Sequence, residues 1–454
     1  MKSLDSKRAQ DVVDVTRSLT YGTWRKQSDW KPLLVTGGEG SYFYDASGKR
    51  FLDFSSQLMC SNLGHSNRRV VDAIVRQAET LPYAAPVFAT EIRAEVSLKL
   101  REVLPRNLTK YFFGTSGTEA NEAAVKMIRM VNTKSGRTRI ISRYNSYHGS
   151  TAASIELTGD FRRIAVEPLG AYPGVVHIPD PYCYRCPFGL TYPECDIACA
   201  EYLDYAIRNE GNIGGVVLEP VTGTNGVIVP PKEYLPRIRE ITEDHDVLLV
   251  ADEVMSGWGR TGAWFAVDNW DVKPDILTTA KGITAAYTPL SLTATTGEIA
   301  DYFEHNYFAH GHTYEAHPLA LAAASGAIDE YRERNLIQRA RVLGEALGKR
   351  LSELERNHPS VGDVRGIGMF WAVEIVKNRS TKKPFNTHED KLRGDLLMTE
   401  KVAKVMMEKG VYLNSWISHF VIAPPLVAQE SEIEQGVNAL DEALEIADRE
   451  VEGS

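Results

Sequence analysis

Val247-Leu248-Leu249-Val250-Ala251 is an apolar run that ends abruptly in two acids, Asp252 and Glu253. Met255-Ser256-Gly257-Trp258-Gly259-Arg260-Thr261-Gly262 follows, rich in glycine. A second apolar piece, Ile276-Leu277, leads through Thr278-Thr279-Ala280 to Lys281-Gly282. A short apolar run bounded by turn residues reads as a fully buried strand. In open α/β sheets the groups at the carboxyl ends of the strands face the cleft where ligands bind. An acid at one strand end and a lysine at the end of a later strand are therefore placed to meet.

Such a pair suits pyridoxal phosphate, whose ring nitrogen takes a carboxylate and whose aldehyde takes a lysine. Two plainer readings stand beside it. A charged pair after a strand is commonly a solvated loop, and Thr279-Ala280-Lys281-Gly282 is commonly a turn with an exposed lysine. The surrounding chain bears on the choice. Lys110-Tyr111-Phe112-Phe113 reads as a strand, followed by Gly114-Thr115-Ser116-Gly117-Thr118. From Glu119 a helix sets Ala120, Ala123, Ala124 and Met127 on one face, and Ser116 with Glu119 fits a capping box. Strand, small-residue loop and helix N-terminus make an anion site, with a plain βα turn as the alternative. The loop lacks the Gly-Lys-Ser/Thr ending of a P-loop. Strands at 139–142 and 214–218 lead to Tyr147-His148-Gly149 and to Glu219, and a helix spans 234–244. Alone, Tyr147-His148 reads as a turn with packed aromatics. Strands alternating with helices predict a parallel, doubly wound sheet.

Towards the ends the pattern changes. Residues 1–40 read as a polar arm carrying Trp24 and Trp30, and 41–54 as a hairpin turning at Ala46-Ser47-Gly48. A helix at 70–81 sets Val71, Ile74, Val75 and Ala78 on one face. Residues 290–295 alternate as a strand. His310, His312 and His317 lie in a turn before a helix at 319–331. Beyond 333 come a helix at 340–355, strands around 364–374 and a final helix at 432–451 capped by Ser431 with Glu434. Residues 378–396 read as a mobile surface loop. The division is an arm and part of a small domain (1–65), a large cofactor-binding domain (66–332) and a small α+β domain (333–454).

The 454 residues carry a net charge of −9, with 43% hydrophobic and 24% charged residues. That is the balance of an ordinary soluble enzyme, with no basic field for nucleic acid or anionic lipid. No apolar run approaches the roughly 18 residues needed to span a bilayer. The first residues lack the apolar core of a signal peptide. A cytoplasmic protein without nucleic-acid or membrane partners is expected. Four of the five cysteines cluster as Cys183-x-x-Cys186 and Cys195-x-x-x-Cys199 in a Tyr/Pro-rich insert. Zinc, an iron–sulfur centre and redox pairing stay open at this spacing. Free thiols are the expectation, and no metal is assigned.

The ordered blocks then resemble one family. They are Gly64-His65, Ser116-Gly117-Thr118-Glu119-Ala120-Asn121-Glu122-Ala123, Tyr147-His148-Gly149, Glu219-Pro220, Ala251-Asp252-Glu253-Val254, Gly259-Arg260-Thr261-Gly262, Ala280-Lys281-Gly282, His317-Pro318, Arg365-Gly366-Ile367-Gly368 and Ala423-Pro424-Pro425-Leu426. Each is weak alone, but the set in this order resembles the class III, or ω-, aminotransferases over nearly the full length. The resemblance implies an α/β protein of the fold-type I pyridoxal-phosphate architecture. It has a large domain with a mostly parallel sheet and a smaller α+β domain built from both termini.

By the same resemblance Lys281 is the Schiff-base lysine and Asp252 the partner of the pyridinium nitrogen. Val254 and Tyr147 sandwich the ring, with His148 and Glu219 beside it. Ser116, Gly117 and Thr118 hold the phosphate. Thr313 reaches the phosphate of a neighbouring subunit, implying a homodimer or higher homo-oligomer with interfacial active sites. Leu58 and Met59 fall where relatives line the substrate pocket, and Trp24, Trp416, His419 or an arginine elsewhere are expected to complete it. The implied reaction moves an amino group from an amine or ω-amino acid to a keto acid, with pyruvate expected, or to an aldehyde. An aminomutase, racemase or decarboxylase on the same fold is the alternative. One departure stands out. Val411-Tyr412-Leu413-Asn414-Ser415-Trp416-Ile417-Ser418-His419-Phe420-Val421 holds no arginine where many relatives carry one for the substrate carboxylate.

Overall fold

The structure is a computed structural model and describes residues 5–166 and 174–452. Its central sheet has seven strands, in the order Leu108–Gly114, Ser291–Thr296, Ile276–Thr279, Leu248–Asp252, Ile213–Leu218, Arg139–Arg143 and Val175–Ile178. Ser291–Thr296 runs antiparallel to both of its neighbours, and all other pairings are parallel. Every residue of Ile213–Leu218 is buried, as a sheet covered on both faces requires. Strand alternation sends Ile141, Val216, Leu218 and Leu249 to one face, against Leu203 and Ile238. Ile140, Val217 and Val250 go to the other, against Ala123, Ala124 and Met127 of the helix Gly117–Val131.

Two smaller sheets flank it. Val35–Glu39, Tyr42–Asp45 and Arg50–Asp53 form a meander to which Val411–Tyr412 adds a parallel strand. Val361–Ile367, Phe370–Asn378, His419–Ile422 and Asn414–Ser415 form an antiparallel sheet, with Lys383–Pro384 beside Phe370–Asn378. One continuous core runs from Leu52 and Phe54 through Leu100 and Trp258 to Leu347, Phe420 and Leu440. The lobes thus share apolar packing, as burial of large faces favours.

Arg260 pins these parts together. Its Nη1 donates to the carbonyls of Pro424 (2.6 Å) and Met369 (3.2 Å). Its Nη2 donates to Asn62 Oδ1 (2.5 Å) and Ser56 Oγ (3.3 Å). Among the described residues no carboxylate pairs with it, and burial pulls the guanidinium down to about 10. Among these residues, no helix is long and apolar enough to cross a membrane.

Four expectations need correction. The helix Arg68–Thr80 buries Val70 and leaves Val75 and Ala78 exposed. It is drawn the other way by Gly326, where a Cβ would sit 3.2 Å from Val70 Cα and 3.3 Å from Ala73 Cβ. The last helix, Glu430–Asp448, starts earlier than Ser431 predicts: Glu432 accepts from the Gln429 N–H at 2.8 Å, making Gln429 the cap. The 378–396 stretch is not a bare loop. It holds Lys383–Pro384 and a helical turn, His388–Arg393, capped by Thr387 and Asp390. The N-terminal arm contains a helix, Ser6–Leu19, none of whose residues is buried.

Candidate active site

Asp252 ends its strand fully enclosed. Oδ2 accepts from Asn121 Nδ2 at 2.7 Å and lies 2.7 Å from His148 Nδ1, while Oδ1 accepts from the Val254 N–H at 3.0 Å. Asn121 also donates to the His148 carbonyl (2.7 Å) and accepts from Thr278 Oγ1 (2.7 Å). An ionised carboxylate only accepts, so His148 presents its proton on Nδ1. Among the described residues, His148 Nε2 is buried without a partner. A carboxylate offers about four lone-pair sites. Three are used, and the remaining one is on Oδ1.

Lys281 opens a short turn one residue after Ile276–Thr279, with φ +47°, a region sparsely used by residues other than glycine. Among the described residues its amine makes no hydrogen bond and no ion pair. Burial holds that amine below the usual lysine range, against the opposing pull of Cys60, Asp252 and Glu219. Gly282 lets the turn press on Trp258: a Cβ there would lie 2.5 Å from Trp258 Cβ. Trp258 Nε1 in turn donates to Thr279 Oγ1 at 2.9 Å.

The loop before Gly117–Val131 is a half-built capping box. Ser116 Oγ accepts from the Glu119 N–H at 3.2 Å, but the Glu119 carboxylate reaches the Thr115 N–H and hydroxyl, each at 2.6 Å. The Ser116 carbonyl takes the Ala120 N–H. Among the described residues, the N–H groups of Gly117 and Thr118 have no such acceptor. They are the donors that a helix start offers to an anion. A Cβ at Gly117 would sit 2.8 Å from Val254 Cγ1, and one at Gly149 would sit 2.8 Å from Thr118 Oγ1. The loop, Val254 and the Tyr147-His148-Gly149 turn are thus in direct contact.

Glu219 is buried, its Oε1 accepting from the Tyr147 N–H (3.1 Å) and its Oε2 from the Gly223 N–H (2.7 Å). Burial raises its carboxyl above the usual range. No arginine pairs with it among the described residues. Trp24 is half exposed and meets Tyr147 edge-on at 6.3 Å. Trp416 stands against Phe161 at 5.7 Å. Leu58 is exposed, whereas Met59 is buried among Val221, Val227, Met255 and Phe370. Thr313 lies at the surface, its carbonyl accepting from the Tyr83 hydroxyl. His419 points elsewhere, Nε2 meeting the Thr224 carbonyl at 2.9 Å. His317 caps the helix Pro318–Glu333.

Sequence reasoning missed two features. One is the Asn121 lock, visible only as part of the Thr118-Glu119-Ala120-Asn121 block. The other is Arg162, which read as an ordinary charge. It is buried, paired with Asp160, and its guanidinium lies 3.8 Å from the Tyr147 ring centre.

Cys183, Cys186, Cys195 and Cys199 line one pocket with Tyr182, Phe188 and Tyr192, and all are free thiols. Burial pushes Cys199 up to about 12 and raises Cys183, the opposite of thiolate activation. Among the described residues no three His, Cys, Asp or Glu side chains are arranged to hold a metal ion.

Glu253, beside Asp252, faces inward. Its Oε1 accepts from the Val267 N–H (2.8 Å), its Oε2 from Ser256 Oγ (2.5 Å), and burial pushes its carboxyl up to about 7 from 4.5. The folded chain keeps a proton that the unfolded chain releases near 4.5. This contribution is whole below pH 4.5 and is lost as pH rises through about 7. At about 1.4 kcal/mol per unit it reaches about 3 kcal/mol. Glu253→Gln is expected to flatten that loss. Denaturant unfolding of parent and variant at pH 5 and pH 8 checks it, and parallel pH trends would exclude the assignment.

An acid held by three donors, a lysine amine without a polar partner among the described residues and an open helix start thus lie together at the carboxyl edge of a doubly wound sheet. The chain belongs to the class III aminotransferases, whose family model, described as Aminotransferase class-III, matches residues 23–444. It is 34% identical to a putrescine–pyruvate aminotransferase of Pseudomonas aeruginosa, over 92% of this chain and 93% of that one. It is also 34% identical to a leucine/methionine racemase of Thermococcus litoralis, over 91% of each. A taurine:2-oxoglutarate aminotransferase of Bifidobacterium kashiwanohense, solved with PLP and glutamate, superposes with a TM-score of 0.91. It has 34% identity and covers 99% of this chain and 100% of that one.

Pyridoxal phosphate is the cofactor of this family, and the residues fit it. The uncommitted amine of Lys281, the open acceptor on Asp252 Oδ1 and the free N–H pair at Gly117 and Thr118 match its aldehyde, ring nitrogen and phosphate. When bound, it supplies an electron sink for the carbon that loses its proton. The reaction is transamination.

Proposed function

We propose that the chain moves an amino group from a primary amine or ω-amino acid to a small keto acid, with pyruvate as acceptor, in two half-reactions. The observation that carries this is the Lys281 amine, largely desolvated, without a polar partner among the described residues, and close enough to Asp252 to feel its charge. Desolvation leaves that amine uncharged more readily, and its freedom from other contacts lets it bond to the cofactor. With cofactor and substrate bound, the amine would take the substrate proton and return it. Asp252, oriented by Asn121 and His148, holds a negative charge at the ring nitrogen. Val254 and Tyr147 flank the ring, and Ser116, Gly117 and Thr118 grip the phosphate. Trp24, Leu58, Met59 and Trp416 border the substrate. The name of the Pseudomonas relative supports pyruvate as acceptor.

In this reading a second copy completes each site through its Thr313, and the enzyme works as a cytoplasmic homodimer. The exposed apolar side chains Val87, Phe88, Tyr307 and Tyr314 are the surface such a partner would cover.

The test is a donor panel with the cofactor-loaded enzyme and no acceptor. Amines are expected to convert the cofactor to its amino form, and pyruvate to restore it with release of alanine. Exchange of the substrate α-hydrogen without net conversion would instead mark a racemase.

A further inference from the structure

The turn that follows Glu219 is held from both lobes at once. Residues 221–228 double back on themselves. The N–H groups of Thr222 and Ile228 donate to each other's carbonyls at 3.1 and 3.2 Å, and those of Gly226 and Val227 donate to the Gly223 carbonyl at 3.2 and 3.0 Å. Gly226 sits at φ +121°, where a side chain is strained. From the central sheet, Arg143 Nη2 bonds to the Glu219 carbonyl and lies 3.2 Å from Thr222 Oγ1, and Asn225 Nδ2 donates to Asp160 at 3.0 Å. From the antiparallel sheet, Arg365 Nε donates to the Gly226 carbonyl at 2.6 Å, and His419 Nε2 meets the Thr224 carbonyl at 2.9 Å. A carbonyl only accepts, so His419 carries its proton on Nε2. Burial and the neighbouring Arg365 charge pull the imidazole down to about 4, so it donates as a neutral ring.

The Arg365 guanidinium is itself fixed before it reaches the turn. Its Nη1 pairs with Asp363 (2.5 Å) and with Glu374 (2.9 Å) of the neighbouring strand. Glu374 is fully buried and also takes the Tyr182 hydroxyl and Arg185 Nε (2.6 Å). A bond from a fixed cation to a backbone carbonyl is a strong, directional tie. At its other end the turn presents the Gly223 N–H to Glu219 Oε2 at 2.7 Å. A Cβ at Gly223 would lie 2.3 Å from Met255 Sδ and 2.9 Å from Glu219 Oε2, so this approach needs glycine. Glu219 Oε1 in turn accepts the Tyr147 N–H at 3.1 Å. His148, Asp252 and Lys281 are the titratable neighbours of this carboxylate. Burial, and with it the Asp252 charge, favours the protonated form, whereas His148 and the two N–H donors favour the charged one.

We propose that Arg365 and His419 are positioning residues for the reaction: by clamping the 223–226 turn from the antiparallel sheet, they keep the Gly223 N–H on Glu219 and so fix the Tyr147-His148 segment beside the cofactor. The proposal rests on the transaminase reading and deepens it. The path runs from either clamp to a turn carbonyl, from the turn to Glu219, and from Glu219 to the Tyr147 N–H. Loss of a clamp lets the turn move out and takes the Gly223 N–H with it. The carboxylate then has one donor instead of two and accepts a proton at higher pH. A misplacement of about 1 Å far from the reacting atoms can cost about 100-fold in rate. Loss of one clamp with the other kept is expected to cost less.

The experiment compares Arg365→Met, Arg365→Lys, His419→Leu and His419→Gln with the parent. Hydrogen exchange of the cofactor-free protein reads the turn directly. The N–H groups of Tyr147, Gly223, Gly226 and Val227 should exchange at least about tenfold faster in Arg365→Met and His419→Leu. Arg365→Lys and His419→Gln, which keep a donor for the turn carbonyl, should regain part of the protection. In the loaded enzymes, kcat should fall about tenfold in the Met and Leu variants with KM nearly unchanged. The acid limb of the kcat profile should move up by about one pH unit, the size of one lost hydrogen bond to a carboxylate. Arg365→Met also strips a cation from Glu374. If that variant does not fold, His419→Leu, which leaves the ion cluster intact, carries the test. If activity falls while exchange at the turn and the acid limb stay at the parent values, the two residues are only structural and the proposal fails. If the parent transaminates nothing, the functional reading falls, while the exchange measurement still decides the fate of the clamp.

Discussion

Lys281→Ala is expected to abolish turnover, by about 10⁴-fold or more, while the chain still folds. Among the described residues the amine makes no hydrogen bond and no ion pair, so its loss removes no polar contact there. It also removes a desolvated cation, whose burial opposes folding. The melting temperature should therefore match or exceed that of the parent. General acid–base work alone is worth about 10² to 10⁴ in rate, and the covalent anchor is lost with it. Dialysed variant protein should lack the visible absorbance band, and borohydride should fix no cofactor to the chain. A retained band would show that another residue forms the bond and would remove the basis of the functional assignment.

Asp252→Asn comes second, with a loss of about 10² to 10³ in kcat, or roughly 3–4 kcal/mol. The change is nearly isosteric, so the fold has little reason to respond. The hydrogen-bond pattern does. Asp252 accepts from Asn121, from His148 and from the Val254 N–H. An asparagine must turn its own NH₂ towards one of these donors and forfeit a bond there. If its oxygen stays with Asn121 and His148, the NH₂ takes the place of Oδ1, where a negative charge is needed to keep the ring nitrogen protonated. Cofactor binding should persist, because the phosphate grip is untouched. Normal kcat in a fully loaded variant would sink the assigned role.

Much of this was legible in advance, for a reason of period. Buried parallel strands read as short apolar runs, and 248–252, 276–279 and 213–218 show up on that signal alone. Asp252 and Lys281 are the polar residues at which two such runs stop. Failures came where packing chose between equal local options. Gln429 with Glu432 and Ser431 with Glu434 have the same cap spacing, and the former won. Val71-Ile74-Val75-Ala78 is as good an apolar stripe as its neighbour, but the glycine at 326 on a facing helix invites the other side. Arg162 carried no linear signal at all. Its aromatic box is drawn from residues 24, 147 and 416, and only folding brings them together.

The seam between the chain ends bears on biosynthesis. Leu52 and Phe54 donate to the carbonyls of Gly410 and Tyr412, and the Phe54 carbonyl receives the Ala423 N–H. Arg260 closes on Ser56, Asn62, Met369 and Pro424 at once. A ribosome that has delivered only the first 400 residues has made Ser116, Gly117, Thr118, Asp252 and Lys281, the groups proposed to hold the cofactor, but not the strands that lock its own opening segment in place. Such a nascent chain should stay open to protease around residues 50–62 and take up pyridoxal phosphate only after the last stretch has emerged.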